Sequence, residues 1–216
     1  MDLPRVLIGT PSHSRRVHID YTASVMESAR LLRDYGVEVE IAFRSSSILP
    51  MIRCQLVMAA LCQGFSHLLL IDDDVGWDAD TPARLLAHER DVVGCVVQAS
   101  DGASHNVAHP RSAPDAPGLL EVDAIGTAYL LLSRHCLERM ETAYPGRAFE
   151  FVHDGEQTIG EDFTFCCRWR GLGGRVFADP VPRIRHHGHA VRDLTWSEAK
   201  QVGKPVAARP QPVMAP

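Results

Sequence analysis

Apolar and polar positions change period several times along the chain, and each change marks an element. Arg5-Val6-Leu7-Ile8-Gly9-Thr10-Pro11-Ser12 is an apolar run passing into a Gly/Pro/Ser turn, which predicts a first strand. Residues 19–35 place Val25, Ala29, Leu32 and Tyr35 at helical spacing, and Gly36 supplies the stop. Val37, Val39, Ile41 and Phe43 then alternate with Glu38, Glu40 and Ala42, the period of a half-buried strand. A second helix is predicted from about Ile48 to Gln63, closed by Gly64, with apolar residues around most of its circumference. Arg53 is the exception on that helix; such an arginine either snorkels to solvent or meets an anion.

The next run, Leu68-Leu69-Leu70-Ile71, suits a buried strand and ends in Asp72-Asp73-Asp74. Thr81 as cap and Pro82 at the first position predict a helix to about Glu89, and Asp91 to Val97 predicts another strand. From Ala99 to Gly118 periodicity disappears, as in a functional loop or an insertion. Short strands follow at Leu119–Val122 and Ala128–Leu132, then a helix over Arg134–Ala143 and a loop from Phe149 to Gly160. Glu161-Asp162 opens a helix to about Arg170, ended by Gly171 and Gly173; strands near Val176–Ala178 and Arg183–Arg185 lead to His186-His187-Gly188-His189. The β-α-β alternation of the first half predicts a single α/β domain over residues 1–200 with a mostly parallel sheet, and residues 201–216 read as a flexible tail.

Composition narrows the classes without choosing one. Of 216 residues, 45% are hydrophobic and 23% charged, as in an ordinary globular domain. A net charge of -5 argues against charge-driven binding to nucleic acid or anionic membrane over the whole surface. No leader-like N-terminal segment and no apolar run near ~20 residues is present, so a cytoplasmic location without a membrane span is the default expectation. The six cysteines contain no C-x-x-C pair and read as reduced, mostly buried thiols.

Three groups carry candidate chemistry. Asp72 and Asp74 are two residues apart and face one side if the backbone stays extended, so they form either a divalent-metal site for Mg²⁺ or Mn²⁺ or a solvated acidic turn. Glu161-Asp162 begins a helix, where the dipole favours carboxylates even without a function. His186, His187 and His189 close the set, without the partner spacing of a zinc site.

The order of these motifs resembles that of nucleotide-sugar glycosyltransferases of the GT-A (Rossmann-like) fold, family 2-like. Leu68 to Val75 is similar to the D-x-D region, Asp91-Val92-Val93-Gly94 to the strand after it, and Gly126 to Arg134 to the glycine-led segment near the acceptor. Gly160-Glu161-Asp162-Phe163 resembles the acidic pair at the base, and His186-His187-Gly188 the closing H-x-G. The resemblance implies a mostly parallel sheet flanked by helices and transfer from a nucleotide diphosphate donor, UDP-sugar first, to an acceptor hydroxyl with inversion. It implies Asp72, Asp74 and His186 as ligands of Mn²⁺ or Mg²⁺, with His187 the alternative histidine. Asp162 is implied as general base with Glu161 at the acceptor. Thr10, Pro11, Ser12, Arg53, Asp72 and Asp73 fall on the donor side.

No extended acceptor domain is expected after Lys200, and a compact enzyme of this sort resembles those that decorate macromolecules such as hydroxymethylated DNA. Arg168, Arg170, Arg175, Arg183 and Arg185 are either phosphate contacts on the acceptor side or a solvated basic face. Three rival readings are a haloacid-dehalogenase-type phosphatase, a nucleotidyltransferase of similar layout, and a non-catalytic sugar-nucleotide-binding domain. The first is disfavoured because Gly76 stands where that motif needs threonine.

Overall fold

The computed structural model describes residues 3–98, 105–111, 113–115, 118–155, 157–187 and 191–194, the last four as backbone. In chain order the elements are β1 (Arg5–Ser12), α1 (Ile19–Asp34), β2 (Glu38–Ser45), α2 (Leu49–Cys62), β3 (His67–Ile71) and β4 (Val75–Trp77). Then come α3 (Thr81–Ala87), β5 (Val92–Cys95), β6 (Val107–Pro110), β7 (Leu120–Ile125), β8 (Tyr129–Ser133) and α4 (Arg134–Ala143). The last are β9 (Val152–Asp154), β10 (Gln157–Ile159), α5 (Glu161–Gly171), β11 (Val176–Asp179), β12 (Ile184–His187) and β13 (Val191–Leu194).

Eight strands form one sheet in the order β2-β1-β3-β8-β5-β11-β7-β6. β8 pairs antiparallel with both β3 and β5, and β7 with both β11 and β6, so the other six strands share one direction. Six of the eight strands thus run one way and helices flank the sheet, an α/β layout as the motif order implied. A small second sheet, β13-β12-β4, stands at the end of β3.

The alternation of β3 explains why a run of four apolar residues is needed. Leu68 and Leu70 pack on one face with Ile52, Leu56 and Val57 of α2 and Phe165 and Trp169 of α5. Leu69 and Ile71 pack on the other with Tyr21, Val25 and Leu32 of α1 and with Trp77. All four are fully buried, and a fully buried leucine or isoleucine contributes about 1.5–3 kcal/mol. β2, by contrast, is an edge strand: Val39 is buried while Ile41 and Phe43 are exposed.

Four expectations need correction. β1 continues in parallel register with β2 through Thr10, Pro11 and Ser12, where the sequence suggested a turn. Pro11 is tolerated because β1 has already parted from β3 after Gly9, so its missing N–H interrupts no ladder on that side. α3 begins at Thr81 with Asp80 at the cap position and no side-chain cap bond, and the Thr81 N–H is taken by the Asp78 carbonyl at 3.0 Å. The stretch 99–118 contains β6, and 149–160 contains the β9-β10 hairpin; strands of three or four residues are too short to show a period of two. Residues 99–104 of the first stretch, like the predicted tail after Lys200, lie outside the described residues.

The end of α5 depends on a bare glycine. A Cβ on Gly174 would fall 2.0–2.4 Å from atoms of the Trp169 indole, which is buried and donates its N–H to the Arg175 carbonyl at 3.0 Å. Gly174→Ala is expected to destabilise the chain by at least about 2 kcal/mol, read as a lower urea midpoint at unchanged slope. An unchanged midpoint would show that the indole relocates freely.

Candidate active site at the carboxylate turn

β3 ends at Ile71, and Asp72 remains attached to the sheet through its N–H, which donates to the Ala128 carbonyl at 3.1 Å. Residues 72–74 then turn tightly into β4 rather than staying extended. Two backbone bonds pin this turn: His18 N–H to the Asp73 carbonyl and His187 N–H to the Asp74 carbonyl, both 2.8 Å. The turn lies at the carboxyl ends of β1, β3 and β5, where open α/β sheets bind ligands.

The three carboxylates face different partners. Asp72 Oδ1 accepts from Arg53 Nη2 at 3.2 Å. Asp74 Oδ2 lies 3.3 Å from His186 Nε2. Asp73 sits beside the Ser12 hydroxyl, which offsets part of the upward pull of burial on its carboxyl. Burial also raises the Asp72 pKa, opposed by Arg53 and reinforced by the Asp74 charge.

Arg53 meets anions rather than solvent. Its side chain is 4% exposed and bridges two carboxylates, Asp72 and Glu161, which lie 89 positions apart in the chain. Glu161 opens α5, and Gly160 precedes it as N-cap in extended conformation without a side-chain cap bond. Asp162 comes next, takes the Phe163 N–H at 2.8 Å, and has no cation bonded to it among the described residues. Its pKa is pushed up to about 6, first by burial and then by the neighbouring Glu161 charge. Gly126 backs this carboxylate: a Cβ there would lie 3.3 Å from Asp162 Oδ2 and 3.0 Å from Asn106 Cβ.

His186 is oriented by the carbonyl of Gln98, 3.0 Å from its Nδ1. With the Nδ1 proton on that carbonyl, Nε2 is directed at Asp74. The hydrogen bond with Asp74 raises the His186 pKa. Asp74 and His186 are a carboxylate and an imidazole of the kinds a divalent cation takes, but among the described residues Asp72, held by Arg53, does not join them as a third donor within 4.8 Å. The structure thus brings Asp74 and His186 together, joins Asp72 to Glu161 through Arg53, and holds Asp162 beside Glu161.

Other predicted residues have further partners, and among Thr10, Pro11 and Ser12 it is Ser12 alone that is already placed beside Asp73. Thr10 is fully buried with its hydroxyl against Tyr21 Oη, and Ser12 donates to the Arg16 carbonyl at 3.2 Å. Among the predicted cations, Arg168 meets Glu150, Arg170 meets Asp123, Arg175 meets Glu121 and Arg185 meets Asp78. These four are committed to the chain's own carboxylates, which weakens the reading of a phosphate-binding face. Sequence reasoning missed Asn106, whose Oδ1 accepts from Val97 N–H at 2.7 Å while its carbonyl takes the Gly126 N–H. It also missed His18 and Asp20, which join His187 as three potential metal donors within 4.8 Å of one another. No local signal marks either case.

No family model matches the sequence, and no curated protein matches it. Among solved structures, A197 from STIV superposes over 90% of this chain and 91% of its own at 20% identity, with a TM-score of 0.59, so the two share a fold. A mutant of Drosophila β-1,4-galactosyltransferase 7 in complex with manganese, UDP-Gal and xylobiose is a looser likeness: 16% identity, 82% of this chain, 65% of that one, TM-score 0.49. A UDP-glucose pyrophosphorylase complexed with UDP-glucose is similar over 93% of this chain and 97% of its own, at 9% identity and a TM-score of 0.48. No helix among the described residues is long and apolar enough to cross a membrane.

The raised Asp162 has a consequence for stability. Above about pH 6 its charged form is destabilised in the folded chain, and the penalty disappears as pH falls toward the unfolded carboxylate value near ~4. Asp162→Asn keeps the acceptor for Phe163 N–H and removes the charge. It is expected to stabilise the chain by about 1–3 kcal/mol at pH 8 and by nothing at pH 4. Parallel thermal melts at the two pH values check this, and an equal gain at both would disprove the assignment.

Proposed function

We propose that this chain is a metal-dependent glycosyltransferase that moves a sugar from a nucleoside diphosphate donor, UDP-sugar first, to an acceptor hydroxyl with inversion. One observation carries the reading. Arg53 is bonded to both Asp72 and Glu161, so the carboxylate turn proposed for the donor is tied to the start of α5, which carries the proposed base Asp162 next to Glu161.

Asp74 and His186, with Asp72 on the same turn, would hold Mn²⁺ or Mg²⁺ against the diphosphate. When bound, such a cation supplies positive charge that stabilises the departing phosphate oxygens. The chain's own residues account for the remaining steps. The acceptor oxygen attacks the anomeric carbon as the bond to the diphosphate breaks, and the hydroxyl proton passes to Asp162. A carboxyl pKa of about 6 suits this role, because it is ionised at neutral pH yet basic enough to accept a proton. Glu161 stays paired with Arg53 and fixes the start of α5, keeping Asp162 in place. Direct attack on the opposite face from the leaving group inverts the anomeric centre.

Binding of UDP-sugars is expected to require Mn²⁺ or Mg²⁺ and to be abolished by Asp74→Ala, as read by calorimetry. Asp162→Asn should keep donor binding and lose at least about 100-fold in transfer. Transfer by the unaltered chain should fall below about pH 6. Release of UDP from the nucleotide sugar supports the reading; release of pyrophosphate from UTP and a sugar phosphate would replace it with nucleotidyl transfer. Metal-independent nucleotide binding would remove the proposed site.

A further inference from the structure

We propose that His18, Asp20 and His187 form a second metal site, for a divalent transition-metal cation such as Zn²⁺, separate from the carboxylate crevice. One ligand atom from each residue lies within 4.8 Å of the other two. Two imidazoles and one carboxylate are the donor set that zinc and its first-row neighbours take, leaving further positions for water.

The independent observation is His187. It is 8% exposed, and among the described residues neither of its ring nitrogens has a hydrogen-bond partner. Its Nε2 lies only 2.8 Å from Asp20 Oδ2, so the contact is close but off the hydrogen-bonding direction. A buried imidazole with no partner is costly. Two donors that approach closely without pointing at each other are what a shared third atom requires. Around a cation with bonds of about 2.0–2.2 Å, neighbouring ligand atoms lie about 3 Å apart.

His18 completes the set. Its ring stacks on that of His187 with centroids 3.7 Å apart and an angle of 11° between the planes. Its Nδ1 already caps α1 by accepting from Asp20 N–H at 3.2 Å, which leaves Nε2 as donor. The two rings lie in nearly parallel planes, so each would tilt by tens of degrees to aim both in-plane lone pairs at one cation. Arg185 is the cation already nearby, but its Nε stays 3.9 Å from Asp20 Oδ2 while the guanidinium bonds Asp78 and the Trp77 carbonyl. Asp20 therefore retains acceptor capacity. His186 and His187 are consecutive on β12, so their side chains leave opposite faces of the strand, one toward Asp74 and the other toward Asp20. A cation here would tie the start of α1 to β12 across the turn that holds Asp73 and Asp74.

The test uses the full chain, stripped with a chelator and titrated with Zn²⁺ alone. An Asp74→Asn background keeps the carboxylate turn from contributing, and no nucleotide is present, so the result is independent of the glycosyl-transfer reading. One equivalent of zinc is expected to bind and to raise the thermal midpoint. His18→Asn in that background retains a good helix cap and removes the imidazole; it should weaken zinc at least about 100-fold, as should His187→Gln. His186→Gln should leave the affinity unchanged. Absence of tight zinc binding, its survival in His18→Asn, or its loss in His186→Gln would each overturn the proposal. The chelated His18→Asn chain must melt as the parent does, and its far-ultraviolet spectrum checks that the fold is retained.

Discussion

A single buried guanidinium holds the candidate site together. Arg53 lies on the buried side of α2 with Ile52, Leu56 and Val57, and a charge there is tolerable only because two carboxylates meet it. Both come from distant parts of the chain, Asp72 from the end of β3 and Glu161 from the start of α5. Deleting one member of such a buried set typically costs about 3–5 kcal/mol, because the remaining charges lose compensation. The candidate site therefore depends on α2, the end of β3 and the start of α5 meeting in one place.

The same interaction separates the fates of two adjacent carboxylates. Glu161 takes the cation, whereas Asp162 next to it is left partly desolvated beside the Glu161 charge and rises to about 6. Environments that push neighbouring acids apart are how a site obtains a permanent anion and a proton acceptor from similar residues. The helix N-terminus alone would favour both in ionised form. Burial and the adjacent charge override the dipole at Asp162, so the first turn of α5 combines a structural anchor with a titratable group.

Much of this scaffold was legible in the sequence, because its elements are long and their punctuation is strong. α1, α2, α4 and α5 fall where periodicity and glycines put them, and the Leu68–Ile71 run is the central buried strand. The missed strands β4, β6, β9, β10 and β13 are three or four residues long and are defined by partners elsewhere in the chain or by a hairpin of minimal length. Arg53 left two directions open because nothing local says what a lone arginine faces; its partners are 19 and 108 residues away. The Asp72 and Asp74 pair was expected on an extended backbone, and the turn instead aims one at Arg53 and the other at His186.

That turn also explains why β12 matters more than its four residues suggest. Its His187 N–H anchors the Asp74 carbonyl, its His186 ring faces the Asp74 carboxylate, and its His187 ring reaches Asp20 at the start of α1. On the other side, the His18 N–H holds the Asp73 carbonyl, and the His18 ring stacks on His187. The carboxylate turn is thus held through its backbone from both sides, leaving its side chains free to face separate partners. A turn fixed in this way would lose little freedom on meeting the proposed ligand, which is the physical advantage of preorganisation. The tight coupling also means that a substitution at His18, remote from Asp162 in the chain, would bear on the candidate site through the backbone of the turn.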